Sequence, residues 1–228
     1  MKPYILLCIM LCPLLLFTAC DTSSEPAPKT QPATKKKYEG IIVALGDSLT
    51  AGLGVEQEEN YPTLLQQKLT EQGYSFKVIN AGVSGETSSG TLSRLNWILS
   101  QNPDIVILEI GANDGLRGID PALVENNIAD ILQKLQEKEI EVVLAGMQMV
   151  WNLGEQYTTS FNAIYPRLAD QFGVIFMPFF LESVAAEPKL NTADGIHPNA
   201  EGYSIITDNL VPYVTQAIER FRKKDDSE

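Results

Sequence analysis

Beyond residue 20 the chain contains no cysteine; its three cysteines are Cys8, Cys12 and Cys20. The body of the protein therefore forms no internal disulfide and offers no thiolate to a metal. There is a single histidine, His197, so a zinc site built from several imidazoles is not expected either. Positive charge is also scarce. Lys and Arg number 17 against 29 Asp and Glu, a formal net charge of −12. Nucleic-acid binding draws on clustered Lys and Arg at phosphates, and this balance argues against it. The acidity reads instead as a charge that keeps the chain soluble. No Gly-x-Ser-x-Gly run occurs, which argues against the nucleophile elbow of the ordinary α/β-hydrolase fold.

What is present is ordinary globular material, 44% hydrophobic and 20% charged over 228 residues. That length fits one domain with its own core once the N-terminus is set aside. Lys2 gives the N-terminus positive charge, and an apolar run follows from Tyr4 to Phe17, broken by Pro13. The run is shorter than the about 20 residues of a membrane span and reads as a signal-peptide core. Its end, Phe17-Thr18-Ala19-Cys20, resembles the lipobox of bacterial lipoproteins, with Phe17 where Leu is preferred. That resemblance implies cleavage after residue 19, a lipid on Cys20 and an exported, membrane-held protein. The following DTSSEPAPKTQPATKKK (residues 21–37) has no large apolar residue and reads as a solvated tether. The expected division is thus 1–19 signal peptide, 20–38 tether, 39–222 domain and 223–228 charged tail.

Within the domain, strand and helix patterns alternate. Residues 41–45 form a continuous apolar run that reads as a strand buried on both faces, 104–108 reads the same way, and 76–79, 141–145 and 174–176 read as further strands. Helical periodicity appears over 61–72, 87–101, from Asp120-Pro121 onward, over 157–172 and from Asn199 to Arg222. In the third of these Asp120 reads as the N-cap, Pro121 as N1, and Val124, Ile128, Ile131, Leu132 and Leu135 as the apolar stripe. Five strands alternating with helices imply a parallel sheet covered on both sides, a three-layer α/β/α arrangement.

The unusual residues fall at the carboxyl ends of these strands, where open α/β sheets bind ligands. Gly46-Asp47-Ser48-Leu49 follows the first strand, Asn80-Ala81-Gly82-Val83-Ser84-Gly85 the second, and Gly111-Ala112-Asn113-Asp114 the third. Asp194 and His197 stand before the last helix. Taken singly, these are helix caps and turn formers as readily as site residues. Together they supply a hydroxyl nucleophile, one candidate base and a carboxylate to orient it.

These blocks, in this order, resemble the SGNH or GDSL hydrolases over nearly all of residues 41–205. The stretch Gly111 to Gly118 is most similar to the thioesterase I, arylesterase and lysophospholipase L1 branch. The resemblance implies a flavodoxin-like fold with a five-stranded parallel sheet and a serine esterase without metal or cofactor. It assigns Ser48 as nucleophile, His197 as general base and Asp194 as its orienting partner. The amides of Ser48 and Gly82 and the side chain of Asn113 become the oxyanion hole. Leu116, Met147, Met149, Val150, Trp151 and Ile196 flank the sheet edge and are candidates for an acyl pocket. The expected substrate is a small-molecule or lipid ester or thioester. A carbohydrate O-acetyl esterase and a catalytically silent partner-binding lipoprotein are the alternatives.

Overall fold

The computed structural model describes residues 38–149 and 153–225. The expected signal peptide, Cys20, the tether up to residue 37, Val150, Trp151 and residues 226–228 lie outside the described residues. Five strands, β1 (Gly40–Gly46), β2 (Phe76–Gly82), β3 (Ile105–Glu109), β4 (Glu141–Ala145) and β5 (Ile175–Met177), form one sheet in the order β2-β1-β3-β4-β5. Every pairing is parallel. All residues of β3 and β4 are buried, the apolar runs 105–108 and 142–145 as expected when helices cover both faces, and Glu109 and Glu141 at their ends with them.

Helices α2 (Tyr61–Glu71) and α9 (Ala200–Asp225) pack together on one face. On the other, α6 (Pro121–Gln136) packs with α3 (Ser88–Ser93) and α8 (Ile164–Phe172). Asp120 caps α6, accepting from the Ala122 amide at 3.0 Å, with Pro121 in the first turn. The stripe read from the sequence is the buried face of α6. Burying each such Ile or Leu contributes about 1.5–3 kcal/mol.

Two helices read as single are each broken in two. Residues 87–101 divide at Arg94 into α3 and α4 (Leu95–Leu99). There the guanidinium turns back to Ala81 O (2.7 Å) and to both carboxylate oxygens of Glu86. Residues 155–172 divide at Ala163 into α7 (Glu155–Asn162) and α8. Pro166 lacks an amide for the Asn162 carbonyl and its ring collides there in a straight helix, so the first helix stops at Asn162.

At the β2 edge, Lys77 is exposed. The Gln66 side chain of α2 lies against that edge, donating to Phe76 O and accepting from the Val78 amide, both at 2.8 Å.

Candidate active site

β1 ends at Gly46, and the chain turns at once into a four-residue helix, α1 (Ser48–Ala51). A Cβ on Gly46 would run into Thr50 Oγ1 and the carbonyl and carboxyl oxygens of Glu109, so only glycine fits the turn. Asp47 caps the helix, its Oδ1 accepting from the Leu49 amide at 3.0 Å. Ser48 is thereby the first helical residue, a position whose amide has no intrahelical partner.

His197 lies in the loop between β5 and α9. The loop is closed by Thr192 N–H donating to His197 O (2.8 Å) and Gly195 N–H to Thr192 O (3.0 Å). Asp194 organises it: Oδ1 accepts from the Thr192 hydroxyl and from the Ile196 and His197 amides at 2.9–3.0 Å. Asp194 Oδ2 is 2.7 Å from His197 Nδ1, and His197 Nε2 is 2.8 Å from Ser48 Oγ. The carboxylate accepts the Nδ1 proton, which leaves Nε2 as the acceptor for the serine hydroxyl. The amides of Ile196 and His197, with the imidazole, hold the Asp194 carboxyl well below its usual range.

After β3, Gly111 adopts φ +115°, and a Cβ there would strike Tyr165 Oη. This turn starts α5 (Ala112–Leu116), which carries Asn113 and Asp114. Asn113 Nδ2 donates to Asp47 Oδ2 at 3.0 Å, joining the loops after β1 and β3. Asp114 is buried and accepts from the Ser88 amide (2.9 Å) and hydroxyl (2.7 Å), which ties α5 to α3.

Ser48, His197, Asp194 and Asn113 are thus brought to one sheet edge. Gly82 fits its expected role poorly. Its amide already donates to Asn80 Oδ1 at 2.9 Å, and a Cβ there would collide with the Thr50 and Ala51 backbone. The glycine lets α1 pack against β2. On the same loop the amides of Ser84 and Gly85 have no hydrogen-bond partner among the described residues. Gly85 sits in a turn at φ +79°.

The expected acyl-pocket residues scatter. Met147 is core. Met149 is half-buried, its amide donating to Asn162 Oδ1 at 2.8 Å and its thioether over Gly115. Leu116 and Ile196 are 58% and 50% exposed and line no closed pocket. A groove of about 710 Å³ runs between the start of α6 and α7, lined by Asp120, Leu153, Tyr157 and Arg167 among others, and by none of Ser48, Asn113 or His197.

The sequence reading missed the acidic ground beneath the serine. Asp47 and Glu109 are both fully buried. Desolvation pushes the Asp47 carboxyl up to about 6, against the Leu49 amide, Asn113 and His197, which favour its charge. Burial likewise pushes Glu109 far above the usual carboxylate range, with the Asp47 charge adding to it. The available signal for Glu109 was an acid closing an otherwise apolar strand. Among the described residues no group of three His, Cys, Asp or Glu side chains is placed to hold a metal ion.

The chain matches the GDSL-like lipase/acylhydrolase family over residues 44–205, a span that includes every site element above. The protein belongs to this family. It is 38% identical to the esterase TesA of Pseudomonas aeruginosa, over 78% of this chain and 90% of that protein. It is 39% identical to thioesterase 1/protease 1/lysophospholipase L1 of Escherichia coli K12, over 73% of this chain and 79% of that one. Among solved structures, the psychrotrophic esterase EstA from Pseudoalteromonas sp., inhibited by monoethylphosphonate, superposes with a TM-score of 0.75 at 32% identity. That match covers 79% of this chain and all of EstA. The three-layer α/β/α fold is thus the family's fold.

Proposed function

We propose that this protein is a serine esterase that cleaves carboxylic esters or thioesters through an acyl-Ser48 intermediate. The observation that carries the reading is the continuous chain from Ser48 Oγ to His197 Nε2 (2.8 Å) and from His197 Nδ1 to Asp194 Oδ2 (2.7 Å). A serine hydroxyl is a weak nucleophile until a neighbouring base takes its proton. Ser48 Oγ attacks the substrate carbonyl carbon while His197 Nε2 takes the hydroxyl proton. The imidazolium, held by Asp194, then gives that proton to the departing alcohol or thiol. Water, deprotonated by the same nitrogen, releases the acid and restores Ser48.

The developing oxyanion needs fixed donors. We assign it the Ser48 amide, the Asn113 side-chain amide and an amide of the loop after β2. On that loop the uncommitted Gly85 amide is preferred to Gly82, whose donor is held by Asn80. The names of two relatives, an esterase and a thioesterase/lysophospholipase, support esters, thioesters and lysophospholipids as the substrates to test. The exposed apolar Leu116, three residues after Asn113, and Ile196, next to His197, suit an acyl chain.

The location belongs to the same proposal. Export by residues 1–19, a lipid on Cys20 and a tether to residue 38 would hold a catalytic domain of residues 39–222 at a membrane surface. The support is the sequence pattern of the leader.

The test compares hydrolysis of short and long p-nitrophenyl esters, acyl-CoA and lysophosphatidylcholine by protein starting after Cys20. Ser48→Ala is expected to lower kcat by about 10⁴–10⁶-fold without change in fold. Retained turnover would move the nucleophile elsewhere. Activity confined to acetyl esters would favour carbohydrate deacetylation.

A further inference from the structure

Two buried carboxyl groups stand beneath the Ser48 turn. Glu109 closes β3 opposite Gly46 of β1 and is fully buried. Its Oε2 lies 2.8 Å from the Thr50 hydroxyl, and Thr50 Oγ1 lies 3.1 Å from Tyr61 Oη. Its Oε1 is buried with no hydrogen-bond partner among the described residues. The groups that face it are Asp47 from the turn, Tyr61 from α2, Tyr165 from α8 and Tyr203 from α9: one acid and three phenols. Arg94 reaches the neighbouring Gly46 carbonyl at 3.3 Å, but its guanidinium is held by both carboxylate oxygens of Glu86.

An ionised carboxylate here would be fully buried and stand beside a second acid, and these two outweigh the Thr50 hydroxyl and the Asp47 and Thr50 amides, which favour its charge. Both conditions favour the neutral form. We propose that Glu109 is a positioning residue of this site: it keeps its proton at neutral pH and, as a neutral acid bonded to Thr50, fixes the short helix that carries Ser48. The proposal rests on Ser48 being the nucleophile.

Three observations support it. A four-residue helix cannot hold itself by its own hydrogen bonds, so α1 needs an external brace, and Thr50 is the residue braced. With the proton on Oε2 the 2.8 Å contact persists with its direction reversed, Glu109 donating to Thr50 and Thr50 to Tyr61. A neutral Glu109 also leaves Asp47 as the buried charge that faces Asn113 and His197.

The experiment uses the soluble protein as wild type, Glu109→Gln, Glu109→Ala and Thr50→Val. It measures steady-state kinetics on a soluble ester, thermal midpoints from pH 5 to 8, and the rate of fluorophosphonate labelling located by mass spectrometry. Gln is neutral and nearly isosteric, and is expected to keep kcat within about threefold of wild type. Ala and Thr50→Val are expected to lower kcat, and the labelling rate of Ser48, by about tenfold or more with KM little changed, as for a misplaced nucleophile. The Glu109→Gln midpoint is expected to rise above wild type by a gap that widens steadily from pH 5 to 8. The reason is that the folded wild type must take up a proton that the unfolded chain has lost.

Glu109→Gln as slow as Glu109→Ala would mean that a charge is required and would overturn the proposal. So would a midpoint gap that stays flat above pH 6, which marks an ionised carboxylate. If Glu109→Ala does not fold, Thr50→Val and Glu109→Gln still decide the matter. Labelled Ser48 with unchanged variants overturns the role of Glu109 alone. Labelling elsewhere than Ser48 overturns the esterase mechanism and this proposal with it.

Discussion

Asp47 serves two opposed ends. Its carboxylate caps α1, anchors Asn113 and faces the His197 ring, yet it is buried and pushed up to about 6. A folded pKa above the unfolded value means that its stabilising effect is complete below about pH 3.8 and is lost as pH rises through about 6. A shift of about two units corresponds to at most about 3 kcal/mol. Asn caps a helix as well as Asp does and carries no charge. Asp47→Asn is therefore expected to be more stable than wild type by about 1–2 kcal/mol at pH 8, with the gap closing at pH 4, while kcat falls by about tenfold as Asn113 loses its anchor. Urea unfolding at the two pH values, alongside turnover, checks both halves. A variant less stable than wild type at pH 8 would mean that the lost bond to Asn113 outweighs the cost of the buried charge.

At the level of elements, the short turns decide the site and the long periodic segments decide the fold. The stripe of α6 and the apolar runs of β1, β3 and β4 were legible because burial imposes a period on many residues at once. Helices α1 and α5 span 4 and 5 residues, too few for any period to show. The breaks at Arg94 and Ala163 come from one side chain drawn to the sheet and from one proline. The residues of the Ser48–His197–Asp194 chain were legible because the chain has a single histidine, an aspartate stands three residues before it, and Ser48 follows directly on the first strand. The choice between Gly82 and Gly85 was not, since it turns on which amide a neighbouring Asn80 has already taken. The exposure of Leu116 and Ile196 was not either, because side-chain direction in a five-residue helix or a loop is set by tertiary packing. Gly111 gives this scale its test. Ala there must adopt φ +115° and displace Tyr165 Oη from the start of α5. Gly111→Ala is expected to cost about 1–3 kcal/mol in stability from backbone strain. It is also expected to lower kcat more than it raises KM, because Asn113 moves with the helix. Denaturant melts and initial rates on one ester check it; equal loss in kcat/KM through KM alone would show that Asn113 does not act on the transition state.

Over the whole molecule, the single parallel sheet brings four loops to one edge, and its stability rests on two helical layers that seal both faces. The sheet's open borders are left to smaller devices. β5 is three residues long, and β2 presents Lys77 to solvent. The Gln66 amide pairs with Phe76 O and Val78 N–H as a neighbouring peptide would, so one side chain stands in for a missing sixth strand. Gln66 is thus expected to resist edge-to-edge pairing at a place far from the Ser48–His197 contact. Gln66→Ala should leave turnover per folded molecule unchanged while the protein begins to oligomerise as its concentration rises, which light scattering would register. If so, how concentrated this protein can become without adding strands to itself depends on a glutamine.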